Sequence, residues 1–541
     1  MTIDSPGFSQ ATSTKSATRH SGINRRFLLI LLAVVLVLGV FFRCYNLERK
    51  LYWHDEVYTS IRTAGYDGSE VVKEAFTGTE IEVRDLMQFQ SVDNGKTWQD
   101  SWQKLVDHPE HPPLYYVLSR AWQQLFGSSI ASARSLSVFF SLLLFPVVFW
   151  LCRELFEEPT PGWWAMGLLA ISPVQVLYAQ EAREYSLLLL TTALSCVTLV
   201  AAVKKQKWSW WIFYAVATAL NLYVSLLGGY VAIAQGVYIL LLEKFRPNKV
   251  TIRYSFSGVL ALVLFAPWLW NMYTQWNVLK AKTSWTNMTR PFIELLRYWE
   301  LHLNSVFIDF YPSVSGYISV RVIGFVLAFV LVCYYLVCRQ TKPHTSLLLV
   351  CVAIVPAIML ILPDVIDGGI KSIMTRYFLP SLLMVQVAVA YWLAQWGSRK
   401  DLKRSIALGL IVSCGIISCA MSAHSNHWWN KVVGGGNIQI AEIINSYQEP
   451  LVITNTIITS GNPDVNAGDF IALSHLLEDK VKLVLFKDEE TPLVNHSQYS
   501  DVLLWNVEES IREQFAQQNN CDLKLVEGDY YPHIWEVTKN S

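Results

Sequence analysis

Long apolar runs alternate with short polar connections over most of the chain. Stretches able to cross ~30 Å of hydrocarbon as helices occur at 27–44, 135–152, 162–179, 185–203, 208–226, 228–243, 254–273, 318–338, 345–363, 376–396 and 404–423. The pattern predicts about eleven transmembrane helices. One further stretch, Pro112 to Phe126, makes only roughly 22 Å of helix and carries Arg120 in its middle. It reads as an interfacial or re-entrant helix rather than a span. Ser101 to Val106 and Pro291 to Phe310 mix Trp, Leu and charge at helical spacing, as interfacial helices do. From about His424 the character changes. Leu451 to Thr454, Val481 to Phe486 and Asp501 to Trp505 read as buried strands. Ile438 to Tyr447, Gly468 to Leu477 and Glu508 to Gln517 read as helices between them. That alternation predicts a small C-terminal α/β domain. Gly434-Gly435-Gly436 before its first helix reads as a flexible hinge, because no strand precedes it and no Lys-Ser/Thr follows.

Lysine and arginine placement sets the orientation. With the N-terminus inside, the inner loops hold Lys204, Lys205 and Lys207; Lys244, Arg246 and Lys249; Arg339 and Lys342; and Arg399, Lys400, Lys403 and Arg404. The short outer connections hold only Arg183 and Lys371. This obeys the positive-inside rule, and counting 112–126 as a span would invert every later loop. The outer face then receives loop 45–134, the bend Gln180 to Tyr185, loops 274–317 and 364–376, and everything after about His424. Three parts are expected: a disordered cytoplasmic tail at 1–24, a transmembrane unit at 25–423 and an extracytoplasmic α/β domain at 424–541. The short inner loops make a bacterial inner membrane the default setting, with the active side periplasmic.

Composition supports a membrane protein. Hydrophobic residues make up 52% and charged residues 16%, against ~25% charged in an ordinary soluble protein. Mean hydropathy is +0.30. The 21 Trp and 25 Tyr suit a chain with two interfaces to anchor. Net charge is zero, so total charge offers no reason to expect a nucleic-acid partner. Most cysteines fall inside apolar runs and no C-x-x-C pair occurs, so neither zinc nor a disulfide framework is indicated. Arg25-Arg26 precedes the first apolar run without a small-x-small cleavage site after it, which predicts an uncleaved anchor.

The membrane-edge charges outside the inner loops gather on the outer side, where ionisable groups are costly and mark function by default. Tyr52-Trp53-His54-Asp55-Glu56 follows the first span. His108-Pro109-Glu110-His111-Pro112-Pro113 ends the first outer loop, with His111 beside a helix start where anions bind. Arg134 opens the second span. Gln180-Glu181-Ala182-Arg183-Glu184-Tyr185 lies at the outer mouth of a span that Pro173 can kink. Arg376-Tyr377 starts a late span, with Pro380 in its first turn.

These runs, in this order and on one side, resemble the polytopic lipid-linked-sugar glycosyltransferases of the C-type fold. The nearest group is the protein O-mannosyltransferases and lipid A aminoarabinose transferases, and the resemblance covers about residues 25–400. It implies a polyprenyl-phosphate sugar donor, membrane lipids as surroundings and inversion at the anomeric carbon. It also implies Asp55 as general base, with Glu56 and Glu181 as catalytic partners. Donor-phosphate contacts fall to His111, Arg134, Arg183, Tyr185, Arg376 and Tyr377; some family members have lysine at the position of His111. No cofactor is certain. The family leaves room for a divalent metal, but no ligand spacing here marks one. The acceptor, whether lipid, glycan or protein, is not fixed by these motifs. The competing classes are a secondary transporter, which predicts midplane charges and repeat symmetry, a polymer ligase or flippase, which would concentrate chemistry in one late loop, and a non-catalytic scaffold.

Overall fold

A computed structural model describes residues 25–312, 321–395, 402–431, 433–456, 463–487, 499–526 and 533–539. The expected disordered tail at 1–24 lies outside the described residues. A helix stands at each of the eleven apolar runs. Six described helices are long and apolar enough to cross a membrane: Ile130–Phe156, Tyr185–Lys205, Lys249–Thr274, Pro343–Ile366, Thr375–Ala394 and Ser405–His424. A seventh span forms if Thr160–Ala170 and Pro173–Ala179 count as one. That pair is bent by 64°. The cause is Pro173, which starts a new helix because it lacks the N–H that would continue the old one. Leu29–Cys44, Leu227–Leu242 and Gly324–Gln340 are shorter apolar helices. The chain is an integral membrane protein.

The two ends of the bundle differ in chemistry. Ile130–Phe156 is 27 residues, about 40 Å. Arg134 sits in its first turns, and Glu157 caps its far end with a left-handed backbone, φ 61°. At that far end Lys204 and Lys342 both reach Glu157, each at 2.9 Å. The Tyr185–Lys205 and Thr375–Ala394 helices are the most deeply buried spans, 89% and 83% enclosed by the rest of the protein. Arg376 stands in the first turn of the second of these helices, and Arg183 lies just before the first. Leu114–Phe126 is not a span: Arg120 is buried and donates to the carbonyls of Thr63 and Lys96, which fixes the helix against the first outer loop.

Six strands form one sheet in the order β1-β3-β2-β4-β6-β5: β1 Glu80–Glu82, β2 Pro450–Asn455, β3 Lys482–Phe486, β4 Asp501–Trp505, β5 Cys521–Leu525 and β6 Ile534–Lys539. The central three are parallel, with Val452 opposite both Leu483 and Leu503. Their near-continuous apolar sequences suit strands covered on both faces. The edges are antiparallel. The sheet and its core draw on residues from both sides of the expected boundary at 424. β1 comes from the segment between the Arg25–Cys44 and Ile130–Phe156 helices, and one hydrophobic core joins Val57, Ile61, Leu86 and Phe89 of that segment to Ile440, Val452, Phe470 and Trp505. Gly468 lies so close to the first loop that a Cβ there would stand 2.4 Å from Tyr58 Cε2.

Candidate active site

The site is built on the helix His54–Ala64. Trp53 precedes it in extended conformation, and the carboxylates Asp55 and Glu56 occupy its first turn, where the helix dipole favours negative charge. Successive residues on a helix point ~100° apart, so the two carboxylates face different surroundings.

Glu56 faces inward and is fully buried. Arg134 grips it bidentately, Nε to Oε1 at 2.8 Å and Nη2 to Oε2 at 2.7 Å. Lys431 donates to Oε2 at 2.7 Å, and the Ala182 N–H to Oε1 at 2.8 Å. Burial alone would raise the Glu56 pKa, but these cations hold the carboxyl well below its ordinary range. The same burial depresses the Lys431 ammonium. Arg134 also donates to the carbonyls of Lys50 and Leu51. The Arg134 fork is thus engaged by Glu56 and the backbone, and Glu56 is enclosed with Arg134, Lys431 and the Ala182 N–H.

Asp55 faces the other way and keeps 21% of its side chain exposed. Its Oδ2 lies 3.1 Å from Arg376 Nη1. Arg183 donates to the Asp55 carbonyl at 3.2 Å and to Thr59 Oγ1 at 3.0 Å. Burial works to raise the Asp55 pKa, but Arg376 and then Arg183 outweigh it and bring it to about 2. Arg376 also lies 5.6 Å from the Trp53 ring and 5.7 Å from the Tyr377 ring, within cation–π range. Arg183 pairs with Glu184 at 3.3 Å and lies 5.8 Å from the Tyr185 ring. Asp55, Arg183, Tyr185, Arg376 and Tyr377 thus come together from three separate parts of the chain.

Glu181 and His111 lie in buried surroundings of their own. Glu181 is fully buried and touches neither Arg183 nor solvent. It accepts from Trp53 Nε1 at 3.3 Å and Asn430 Nδ2 at 2.8 Å, so it positions the ring beneath Arg376. Burial pushes its carboxyl well above the ordinary range. His111 lies 3.8 Å from Glu110. Burial, then the positive charge of Arg62, pushes its pKa well below 6.5.

Lys431, Asn430 and Trp53 were missed as positioning residues. The available signal was Lys431 itself: a lysine in Trp428-Trp429-Asn430-Lys431, just past the last span on the side where lysine is depleted. Among the described residues no group of three His, Cys, Asp or Glu side chains is arranged to hold a metal.

Comparison with known proteins accords with this geometry. The model of the family "dolichyl-phosphate-mannose-protein mannosyltransferase" matches residues 110–270. That stretch contains His111, Arg134, Glu181, Arg183 and Tyr185. No curated protein matches the chain. Crystal structures of ArnT from Cupriavidus metallidurans are similar in fold. The form bound to undecaprenyl phosphate superposes with a TM-score of 0.53 at 13% identity, covering 94% of this chain and 98% of that one. The apo form gives 0.52 at 12% identity over the same shares. The chain has the C-type glycosyltransferase fold.

Proposed function

We propose that the protein is an inverting membrane glycosyltransferase that moves a sugar from a polyprenyl-phosphate donor to an acceptor hydroxyl. The observation that carries this reading is the Asp55–Arg376 pair at 3.1 Å, flanked by Arg183. An acceptor hydroxyl needs a carboxylate, a departing phosphate needs cations, and the two requirements meet at one point. Asp55 takes the hydroxyl proton as the acceptor oxygen bonds to the anomeric carbon. The bond from that carbon to the phosphate oxygen breaks, and its electron pair leaves with polyprenyl phosphate. Arg376 and Arg183 stabilise the charge that develops there, arginine matching phosphate through its fork of donors.

A carboxylate held at about 2 is a weak base, and the resting pair explains how it strengthens. When the donor phosphate draws Arg376 onto itself, Asp55 loses its largest stabilising charge. Burial then dominates and its proton affinity rises at the moment a proton must be accepted. We take all eleven apolar helices as spans. The Asp55 end is then extracytoplasmic, on the positive-inside count, in a bacterial inner membrane. The shared core of the first outer loop and the C-terminal sheet supports placing both on that side.

Mass spectrometry of the lipids and glycans of cells carrying Asp55→Asn tests the proposal. The expected result is an accumulating polyprenyl-phosphate sugar and an acceptor lacking that sugar. An unchanged lipid and glycan profile would reject it.

A further inference from the structure

A second cationic site lies one segment along the same helix. Asp55, Thr59 and Arg62 are at i, i+4 and i+7, one stripe of His54–Ala64. The helix rise puts Arg62 roughly 10 Å from Asp55. Arg62 lines a small cavity with Thr63, Trp98, Trp102, Tyr116 and Arg120, closed in by the helices Trp98–Val106 and Leu114–Phe126. Two lining residues are arginines and none is acidic.

Four buried polar atoms at this cavity lack hydrogen-bond partners among the described residues. Arg62 is 8% exposed, and its guanidinium makes no hydrogen bond among the described residues; it lies 5.6 Å from the Tyr58 ring, and its Nε is buried and unpaired. Tyr116 is 2% exposed, and its hydroxyl is unpaired, as are Thr63 Oγ1 and Arg120 Nε. Buried polar groups are normally satisfied, and a buried cation without a partner is costly. The nearest acids are engaged elsewhere. Glu110, whose carboxyl feels the charge of Arg62, pairs with His108 at 3.4 Å. Asp100 accepts from the N–H and hydroxyl of Thr97. The space open to the centre of a water molecule is about 20 Å³, where ~10–15 Å³ holds one water. A small oxyanion fits; a sugar ring does not.

The rim places the cavity at the membrane surface. Trp98 and Trp102 are 44% and 48% exposed, and Trp102 packs on Trp268 of a candidate span at 6.4 Å. We infer that Arg62, with the Tyr116 hydroxyl, binds an oxyanion, a phosphate or carboxylate carried by the acceptor roughly 10 Å from its reacting hydroxyl. The acceptor assignment rests on the transfer reading; anion binding itself does not.

Isothermal titration tests the site without turnover. Inorganic phosphate, and separately acetate, is titrated into the full chain in neutral-lipid nanodiscs preloaded with undecaprenyl phosphate to fill the donor contacts. At least one anion should bind with 1:1 stoichiometry, and the preference between them identifies the oxyanion. Arg62→Gln should weaken it at least tenfold and Arg62→Lys should restore part, with undecaprenyl phosphate affinity unchanged in both. Thermal unfolding checks that the variants fold; if Arg62→Gln does not, Tyr116→Phe should weaken the anion threefold or more. The inference is overturned if neither anion binds, if the variants bind as the wild type does, or if undecaprenyl phosphate binding falls in parallel. A protein that binds the anion through Arg62 yet transfers no sugar keeps this site and loses the transfer reading.

Discussion

Replacing Asp55 by Asn separates the two jobs proposed for its carboxylate. The substitution removes the base and keeps the shape, so transfer should fall by ~10²–10⁴-fold, the usual worth of general-base help. That is about 3–5 kcal/mol of barrier. Donor binding should move the other way. In the resting protein Asp55 competes with the incoming phosphate for Arg376, through a contact of 3.1 Å. A hydrogen bond to a charged group is worth about 1.5–3 kcal/mol net, and the amide oxygen of Asn retains part of it. The dissociation constant for undecaprenyl phosphate should therefore stay within about tenfold of wild type, on the tighter side. Arg376→Gln should do the reverse and weaken donor binding by roughly ten- to a hundredfold, by the same magnitude. Both quantities are read on one nanodisc preparation: binding by titration, transfer by mass spectrometry of the glycosylated product. Transfer by Asp55→Asn within tenfold of wild type would refute the base assignment. Donor binding more than tenfold weaker in that variant would refute the competition for Arg376.

Three further outcomes are expected. Glu56→Gln leaves Arg134 and Lys431 buried with their shared anion gone, which should cost about 3–5 kcal/mol and appear as a lowered thermal midpoint with loss of transfer. Asp309, 2% exposed, has its pKa pushed up to about 7 by burial, although the indole N–H groups of Trp428 and Trp429, both at 2.8 Å, favour its charged form. Its neutral form is the stable one in the fold, so its contribution is full below the ordinary carboxylate pKa and is lost as pH rises through about 7; Asp309→Asn should flatten the thermal midpoint between pH 5 and 8. Gly468→Ala should cost about 1–3 kcal/mol by overpacking, since its methyl would meet Tyr58 at 2.4 Å and His54 at 3.1 Å. Faster proteolysis of the region after 424 would register it.

Helices were legible because each is a local event. An apolar run long enough to cross hydrocarbon satisfies its own backbone, and Pro173 announces the bend that follows it. The central strands were legible for a similar reason, being continuous apolar runs. β1 was not: Glu80-Ile81-Glu82 is three residues with two charges, and only pairing with β3 makes it a strand. β5, at the other edge, and β6 beside it mix polar and apolar residues, and the pattern does not mark them. Charges were legible as a set on one side, but not as pairs. Nothing local tells Glu56 that its partners lie 78 and 375 positions away. His111 shows the same gap: the lowering of its pKa comes from burial and from Arg62, facts of packing and not of spacing.

The opposite fates of Asp55 and Glu56 explain why the end of the chain matters to a site in its first outer loop. Asp55 is useful only if its helix is fixed, and Glu56 fixes it through Arg134 from one span, Ala182 from the bend and Lys431 from beyond the last span. Asn430, next to Lys431, holds Glu181 and through it Trp53 beneath Arg376. Cutting the chain at about His424 would therefore remove one of the two cations on Glu56 and a support of Arg376, and would lose transfer whether or not this region chooses the acceptor. Acceptor choice has to be sought in point changes that spare Lys431. The His54–Asp469 contact at 2.8 Å, where the C-terminal region meets the same helix one residue before Asp55, is the place to make them.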